Sequence, residues 1–223
     1  MPSLKGKVVR LLSRVATRRA AVVAVQELGG FQRLLLRCDV PEVAAGTKVQ
    51  VLLPTDDMRT YSPVPTPEGM VLLAWRHAGG PGARWMSNAR AGDELRFVGP
   101  QRSLELEQGP TVLVGDETSL GVAAAFAVER PGQLHAIIQT DAPADVRSAA
   151  ASVGMHQLDT VARGDTAATV AAVTARRSTV RGAIVALTGG STLIVAVRDA
   201  LRRDGVANIK TKTYWIPGRT GLD

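Results

Sequence analysis

Arg59-Thr60-Tyr61-Ser62-Pro63 and His77-Ala78-Gly79-Gly80-Pro81-Gly82-Ala83-Arg84-Trp85 are the two neighbouring stretches that decide how this chain folds. Between them Met70-Val71-Leu72-Leu73-Ala74-Trp75 is an apolar run of strand type, with Pro67 and Gly69 before it and Gly79 and Gly80 after. Side chains two apart in an extended segment point the same way, so Arg59 and Tyr61 share a face. A fixed cation beside an aromatic ring suits a ligand that carries both a phosphate and a flat ring. Ser62 points to the other side, or toward a ring edge where the strand ends, and offers one donor and two acceptors. The glycine-rich turn opens a helix expected over 82–90. Free N–H groups and the positive dipole end at such a helix start favour an anion by about 0.3–2 kcal/mol. Glycine there lets a ligand approach the backbone closely. A strand supplying Arg and Tyr beside a loop supplying an anion cradle points to a dinucleotide site.

Four pieces fall in order: Arg59-Thr60-Tyr61-Ser62, His77 to Met86, Gly92-Asp93-Glu94-Leu95 and Gly99-Pro100. Together they resemble the siderophore-interacting protein family, flavin-dependent ferric-chelate reductases within the ferredoxin–NADP reductase superfamily. That family carries an Arg-x-Tyr-Thr/Ser strand, a His-x-x-x-Gly-Pro-Ala-Ser-x-Trp-Ala turn and helix, then Gly-Asp-x-Leu and Gly-Pro. The resemblance implies that Arg59 touches the pyrophosphate of FAD, that Tyr61 stacks on the isoalloxazine and that Ser62 sits near the redox-active ring nitrogen. It places Thr60, His77, Gly80 and Pro81 beside the cofactor, and likewise Gly82, Ala83 and Trp85. His77 is expected to end its strand with its backbone near the flavin. The family reads Gly-Pro-Ala-Ser where this chain has Gly80-Pro81-Gly82-Ala83. A hydroxyl bonded to a charged phosphate contributes about 1.5–3 kcal/mol, which Ala83 lacks and which Ser87 or further backbone N–H groups would have to replace.

The 27 Lys+Arg against 20 Asp+Glu leave a net charge of +7, which favours anionic partners: nucleotides, acidic proteins or metal chelates. Aromatic residues are too scarce to build a stacking platform for single-stranded nucleic acid, so no nucleic-acid partner is expected. Cys38 is the single cysteine, which excludes an internal disulfide and a cysteine metal cluster. It sits in an apolar run and reads as inert core. The three histidines, His77, His135 and His156, have no paired-ligand spacing, so no protein-bound metal is expected. No apolar run approaches the ~18 residues of a membrane span. The basic stretch from Lys5 to Arg19 lacks the continuous apolar centre of a signal peptide and reads as an opening strand, Val8–Leu12. A cytoplasmic protein is expected.

From Lys5 to about Gly109 the chain reads as short strands broken by turns. Runs fall at Ala20–Val25, Phe31–Cys38, Val49–Leu53 and Asp93–Val98, with Gly29-Gly30 as a hairpin signal. This predicts an antiparallel β-barrel over 1–108, assigned to FAD by the resemblance. After Glu107-Gln108-Gly109-Pro110 the pattern changes to strands alternating with alanine-rich amphipathic helices. Expected strands are Thr111–Val114, Leu134–Gln139, His156–Leu158, Ala183–Leu187 and Ile209–Tyr214. Expected helices are Thr118–Glu129, Pro143–Ser152, Thr166–Arg176 and Ser191–Arg203. Such alternation predicts a parallel-sheet α/β domain over 109–223, which the resemblance assigns to NAD(P).

Val114-Gly115-Asp116-Glu117-Thr118-Ser119 follows the first of these strands and opens a helix, at the edge where doubly wound sheets bind ligands. On spacing alone it is either an ordinary capped loop or a binding turn. The resembled family has Gly-Asp-Glu-Thr-Ala-Leu-Pro here, which implies that Gly115, Asp116, Glu117, Thr118 and Ser119 lie beside nicotinamide and flavin. The glycines of Leu187-Thr188-Gly189-Gly190-Ser191 either admit the nicotinamide nucleotide or serve the turn. Arg163, Arg176 and Arg177 either meet a 2′-phosphate or stand in solvent. The tail from Lys210 to Arg219 resembles the family's Tyr-Trp-x-x-Gly-Arg ending, which makes Lys212 and Arg219 candidates for holding an anionic ferric chelate; a solvated edge strand is the other reading.

The function implied by the resemblance is an FAD-dependent reductase of ferric siderophores. Electrons would come from NADPH, NADH or a ferredoxin, and iron(II) would be released. Two alternatives stay open: a flavin or ferredoxin reductase with another acceptor, and a non-enzymatic binding protein that keeps the fold. No Ser/His/Asp or paired-carboxylate arrangement is present, consistent with chemistry carried by a cofactor.

Overall fold

The computed structural model describes residues 17–40, 43–76 and 80–219. The expected strand Val8–Leu12 and the position of His77 lie outside them. The chain divides between Ser103 and Leu104 into two compact units. The change of sequence pattern comes a few residues later, near Gly109, because the segment between belongs to the second unit by its bonds. Arg130 donates to the carbonyls of Leu106 and Glu107, and Lys210 pairs with the Glu107 carboxylate at 3.3 Å.

Among the described residues, seven strands build the first unit: β1 Arg18–Leu28, β2 Phe31–Arg37, β3 Thr47–Leu52, β4 Met58–Tyr61, β5 Val64–Thr66, β6 Gly69–Trp75 and β7 Glu94–Arg102. They pair antiparallel in the order β4-β3-β7-β1-β2-β6-β5. The sheet curls as a barrel does, but among the described residues β4 and β5 at its edges are not hydrogen-bonded to each other and the barrel is not closed. Leu28 pairs with Phe31 across Gly29-Gly30, the two-residue hairpin expected there. β5 carries no strand signal in the sequence because prolines punctuate it. It survives as an edge strand, where a missing N–H costs nothing to the ladder. Alternate residues fill the interior: Leu34 and Leu36, Val49 and Val51, Met70 and Leu72, and Leu95 and Phe97. Helix α1, Pro81–Asn88, covers this core with Met86, which is fully buried.

The second unit is a five-stranded parallel sheet of β8 Thr111–Asp116, β9 Leu134–Gln139, β10 Leu158–Val161, β11 Ile184–Gly190 and β12 Ile209–Trp215. Four helices connect them: α2 Leu120–Glu129, preceded by a single 3-10 turn, α3 Pro143–Ala151, α4 Thr166–Thr179 and α5 Ser191–Arg203. The order is β10-β9-β8-β11-β12, so the winding reverses between β8 and β11. Every residue of β8 is buried, as a central parallel strand requires. On one face Ile194, Val197 and Leu201 of α5, spaced three and seven apart, join Val173 of α4 over Val112, Val114, Val185 and Leu187. Each such side chain contributes about 1.5–3 kcal/mol on burial. β10 begins at Leu158, where pairing with Ala136 starts, and not at His156. Among the described residues no helix is long and apolar enough to cross a membrane.

Arg176 is paired, with part of its side chain left exposed. Its guanidinium bonds Asp159 Oδ2 at 3.0 and 3.2 Å, and His135 Nε2 lies 2.8 Å from the same oxygen. Partial burial by itself raises the Asp159 pKa, but the hydrogen bonds and charges of His135 and Arg176 outweigh it and hold the carboxyl below its ordinary value. A folded pKa below the unfolded one gives stability that is present above about pH 4 and lost as pH falls through the folded value. Asp159→Asn should therefore lower the thermal midpoint at neutral pH and converge on the parent protein in acid. Circular-dichroism melts taken downward from pH 7 check this; a gap that stays constant refutes it.

Candidate functional site

In the first unit, β4 carries Arg59 opposite Val51 and Tyr61 opposite Val49 of β3. Thr60 is exposed, on the face away from both neighbours. The Arg59 guanidinium donates to the carbonyl of Met58 at 2.7 Å and lies 3.7 Å from Asp57 Oδ2, keeping part of its surface open. Tyr61 packs at the margin of the core, its ring 6.2 Å from that of Trp85 and tilted by 45°. Burial pushes the Tyr61 pKa up to about 12 against the opposing effect of Arg59, so its phenol stays a neutral donor. Ser62 is half-buried just past the strand.

The glycine turn meets these residues directly. Gly80 caps α1 and Pro81 occupies the first helical position, where its missing N–H is no loss. A Cβ on Gly82 would lie 3.0 Å from Arg59 Cγ and 3.2 Å from the Tyr61 hydroxyl oxygen. The absence of a side chain at Gly82 therefore sets the helix start against the Arg59 stem and the Tyr61 phenol. The first-turn N–H groups, at Gly82 and Ala83, have no partner within the helix. The Arg59 stem and the start of α1 thus lie side by side, and a guanidinium together with free helix N-terminal amides is chemistry that suits an anionic group such as a pyrophosphate. Ser87, one turn beyond Ala83, lies in the last turn of α1 and not at its start.

In the second unit, the Gly115–Ser119 turn leaves the carboxyl end of β8 beside the reversal of strand order. Asp116 is 2% exposed. Its Oδ1 accepts from the Thr118 N–H at 2.9 Å and from the Thr118 hydroxyl; its Oδ2 accepts from the Gly190 N–H and the Trp215 indole N–H, both at 2.8 Å. A Cβ on Gly189, whose φ is +100°, would come within 2.6 Å of the Asp116 carboxylate, and one on Gly190 within 2.5 Å of the Trp215 indole. Of the two readings of Gly189-Gly190, the turn is the one realised: their space is filled by Asp116 and Trp215. Trp215 keeps an exposed outer surface, 39% of it, and the first-turn N–H groups of α5 have no partner within the helix.

Glu117 turns away from Asp116. It is 3% exposed, and its Oε1 accepts from the Thr140 hydroxyl at 2.7 Å and from Arg163 at 2.5 Å. Arg163 also donates to Asp141 Oδ2 at 3.0 Å. Loss of hydration lowers the Arg163 pKa, but these two carboxylates raise it above its ordinary value. Sequence reasoning names Arg163 without its partners, and Thr140 and Asp141 carry no motif. Ser119 is fully buried, with no hydrogen-bond partner for its hydroxyl among the described residues. Lys212 on β12 pairs in register with Thr188 of β11, and Arg219 is exposed beyond the strand.

No protein-family model matches the chain, and no curated protein matches it in sequence. Solved structures match it over most of its length. A siderophore-interacting protein from Aeromonas hydrophila is 20% identical, with 92% of this chain and 93% of that one covered at a TM-score of 0.68. A siderophore utilization protein from T. fusca is also 20% identical, with 93% and 95% covered and a TM-score of 0.64. The ferredoxin reductase in carbazole 1,9a-dioxygenase is 21% identical, covering 90% of this chain and 68% of that one at 0.71. The fold is that of the siderophore-interacting proteins and the ferredoxin reductases. The expectation of a barrel-type antiparallel sheet followed by a parallel-sheet unit is met. At these identities the likeness is one of fold.

Removing the Asp116 carboxylate leaves buried donors from three chain segments without an acceptor. Asp116→Ala should destabilise the protein by about 2–4 kcal/mol, read as a lower urea midpoint together with a changed Trp215 emission. Gly189→Ala should also lower the midpoint, because its Cβ enters the same carboxylate and its φ is left-handed. An unchanged midpoint in both variants would remove Asp116 as the tie between these segments.

Proposed function

We propose that the chain is an FAD-dependent oxidoreductase that reduces ferric-siderophore complexes with electrons from NAD(P)H or a ferredoxin, releasing iron(II). The observation that carries the reading is the packing of Gly82 at the start of α1 against Arg59 and Tyr61. We read the free amides of its first turn and the partly exposed Arg59 side chain as the donors for a pyrophosphate. The fold it shares with known flavin reductases supports the same reading. FAD, when bound, supplies the redox chemistry; the protein's part is binding, orientation and electrostatics.

In this scheme Arg59 and the N–H groups of Gly82 and Ala83 hold the pyrophosphate, while Tyr61, Ser62 and Trp85 border the ring system, with Gly80 and Pro81 completing the surroundings; Thr60, which faces the other way, takes no part. Tyr61 contributes a neutral hydroxyl donor, since its proton stays on across the physiological range. The second unit takes the nicotinamide nucleotide along the carboxyl edge of its sheet, near Gly115, Thr118 and Ser119. Asp116 and Glu117 act there through the residues they position. Lys212 and Arg219 supply positive charge for an anionic ferric chelate. Iron(III) is held tightly by the hard oxygen donors of such chelates and iron(II) far more weakly, so one-electron reduction is sufficient for release.

Purified protein incubated with FAD should turn yellow, bleach with NADH or NADPH under anaerobic conditions, and regain colour when a ferric siderophore is added, with iron(II) captured by a ferrous-specific chelator. A preparation that takes up no FAD overturns the flavin reading. One that bleaches but does not transfer electrons to the chelate overturns the substrate. Arg59→Ala should weaken FAD binding about 10–100-fold, the value of one charged hydrogen bond. Ala83→Ser should strengthen it by adding a hydroxyl at the first turn of α1. Fluorescence titration with FAD measures both.

A further inference from the structure

We infer that the second unit is built for a dinucleotide whose adenosine ribose carries no 2′-phosphate, and that Asp141 is the residue that selects it. This rests on the dinucleotide reading of that unit and sharpens it from NAD(P)H to NADH.

In an open parallel sheet the ligand lies along the carboxyl edge at the reversal of strand order, and a carboxylate at the next strand end accepts from the ribose 2′-hydroxyl; a free arginine in that region accommodates a 2′-phosphate. Here the reversal lies between β8 and β11, and β9 is the neighbour of β8 on the other side. Thr140 and Asp141 follow β9 immediately. Thr140 is buried and anchors the turn: its N–H donates to the Val161 carbonyl, its hydroxyl donates to Glu117, and it accepts from the Ala142 N–H. Asp141 is thereby held at the edge with its side chain 72% exposed. A carboxylate accepts about four hydrogen bonds, so the one from Arg163 leaves room for a ribose hydroxyl.

Arg163 is not free for a phosphate. It reaches from the end of β10 across the end of β9 to Glu117 at the end of β8, with Asp141 held on the way. Turning it toward a 2′-phosphate would leave the buried Glu117 carboxylate without its cation, a strongly unfavourable change. Two carboxylates and one guanidinium also sum to a negative charge, which repels a phosphate. Both effects favour the unphosphorylated ribose, and neither depends on the flavin.

The test is calorimetric titration of the full chain with ADP-ribose and with 2′-phospho-ADP-ribose, which differ only in the discriminating group. ADP-ribose should bind about 10–100-fold more tightly, the scale of one charged hydrogen bond gained or lost. Asp141→Asn, an exposed and nearly isosteric change, should remove most of that difference. The ratio of kcat/KM for NADH over NADPH should move in parallel. Equal or tighter binding of the phosphorylated ligand by the parent protein, or an unchanged ratio in Asp141→Asn, overturns the inference while the dinucleotide reading stands. Binding of neither ligand overturns both and leaves the flavin reading of the first unit to its own titration.

Discussion

One buried carboxylate holds the functional edge of the second unit together. Asp116 accepts from its own turn, from the start of α5 and from the indole of Trp215, which is 99 residues away in sequence. Burying a charge without a cation is costly, and here the cost is met by N–H and O–H donors, each of them a charge-assisted bond. The glycines at 189 and 190 follow from this constraint, since any side chain there would enter the carboxylate or the indole. The next residue, Glu117, is equally buried but has a guanidinium partner, so two adjacent acids solve the same problem in opposite ways.

The first unit depends on a contact of a different kind. Gly82 is the meeting point of a helix start and a strand, and the close approach it permits brings the Arg59 stem and the Tyr61 phenol against α1. Without it Arg59 would be a surface arginine tied to Met58 and Asp57. The helix is short, and its buried Met86 secures it to the barrel interior. Packing of α1 on the core is thus also what holds its first turn against β4.

Most elements are legible in the order of the amino acids. Apolar runs bounded by turn residues mark β1, β2, β3 and β6; a glycine pair marks the hairpin; and alanine-rich periodicity marks α2 to α5, with α5 and β9 matching their expected bounds to the residue. These signals are local, set by the period of burial and by turn chemistry. β5 escapes because prolines erase the alternation, and β10 begins later than expected because its extent is set by pairing with β9. Arg59, Tyr61 and Gly82 are also legible, since strand parity and the glycine turn fix which of them can share a face.

The amino-acid sequence by itself determined the two-part architecture, the strand-to-helix turns that end in Gly115–Ser119 and Gly189-Gly190, and the residues that can hold an anion. Tertiary structure alone decided what the charged residues at the carboxyl edge do. Trp215 reaches Gly190 because the pairing of β11 with β12 shifts between Gly189 and Gly190, and Arg163 meets Glu117 across an intervening strand. Register and strand order are long-range properties. A carboxylate's partners depend on them, and no local pattern of residues specifies which donors will arrive.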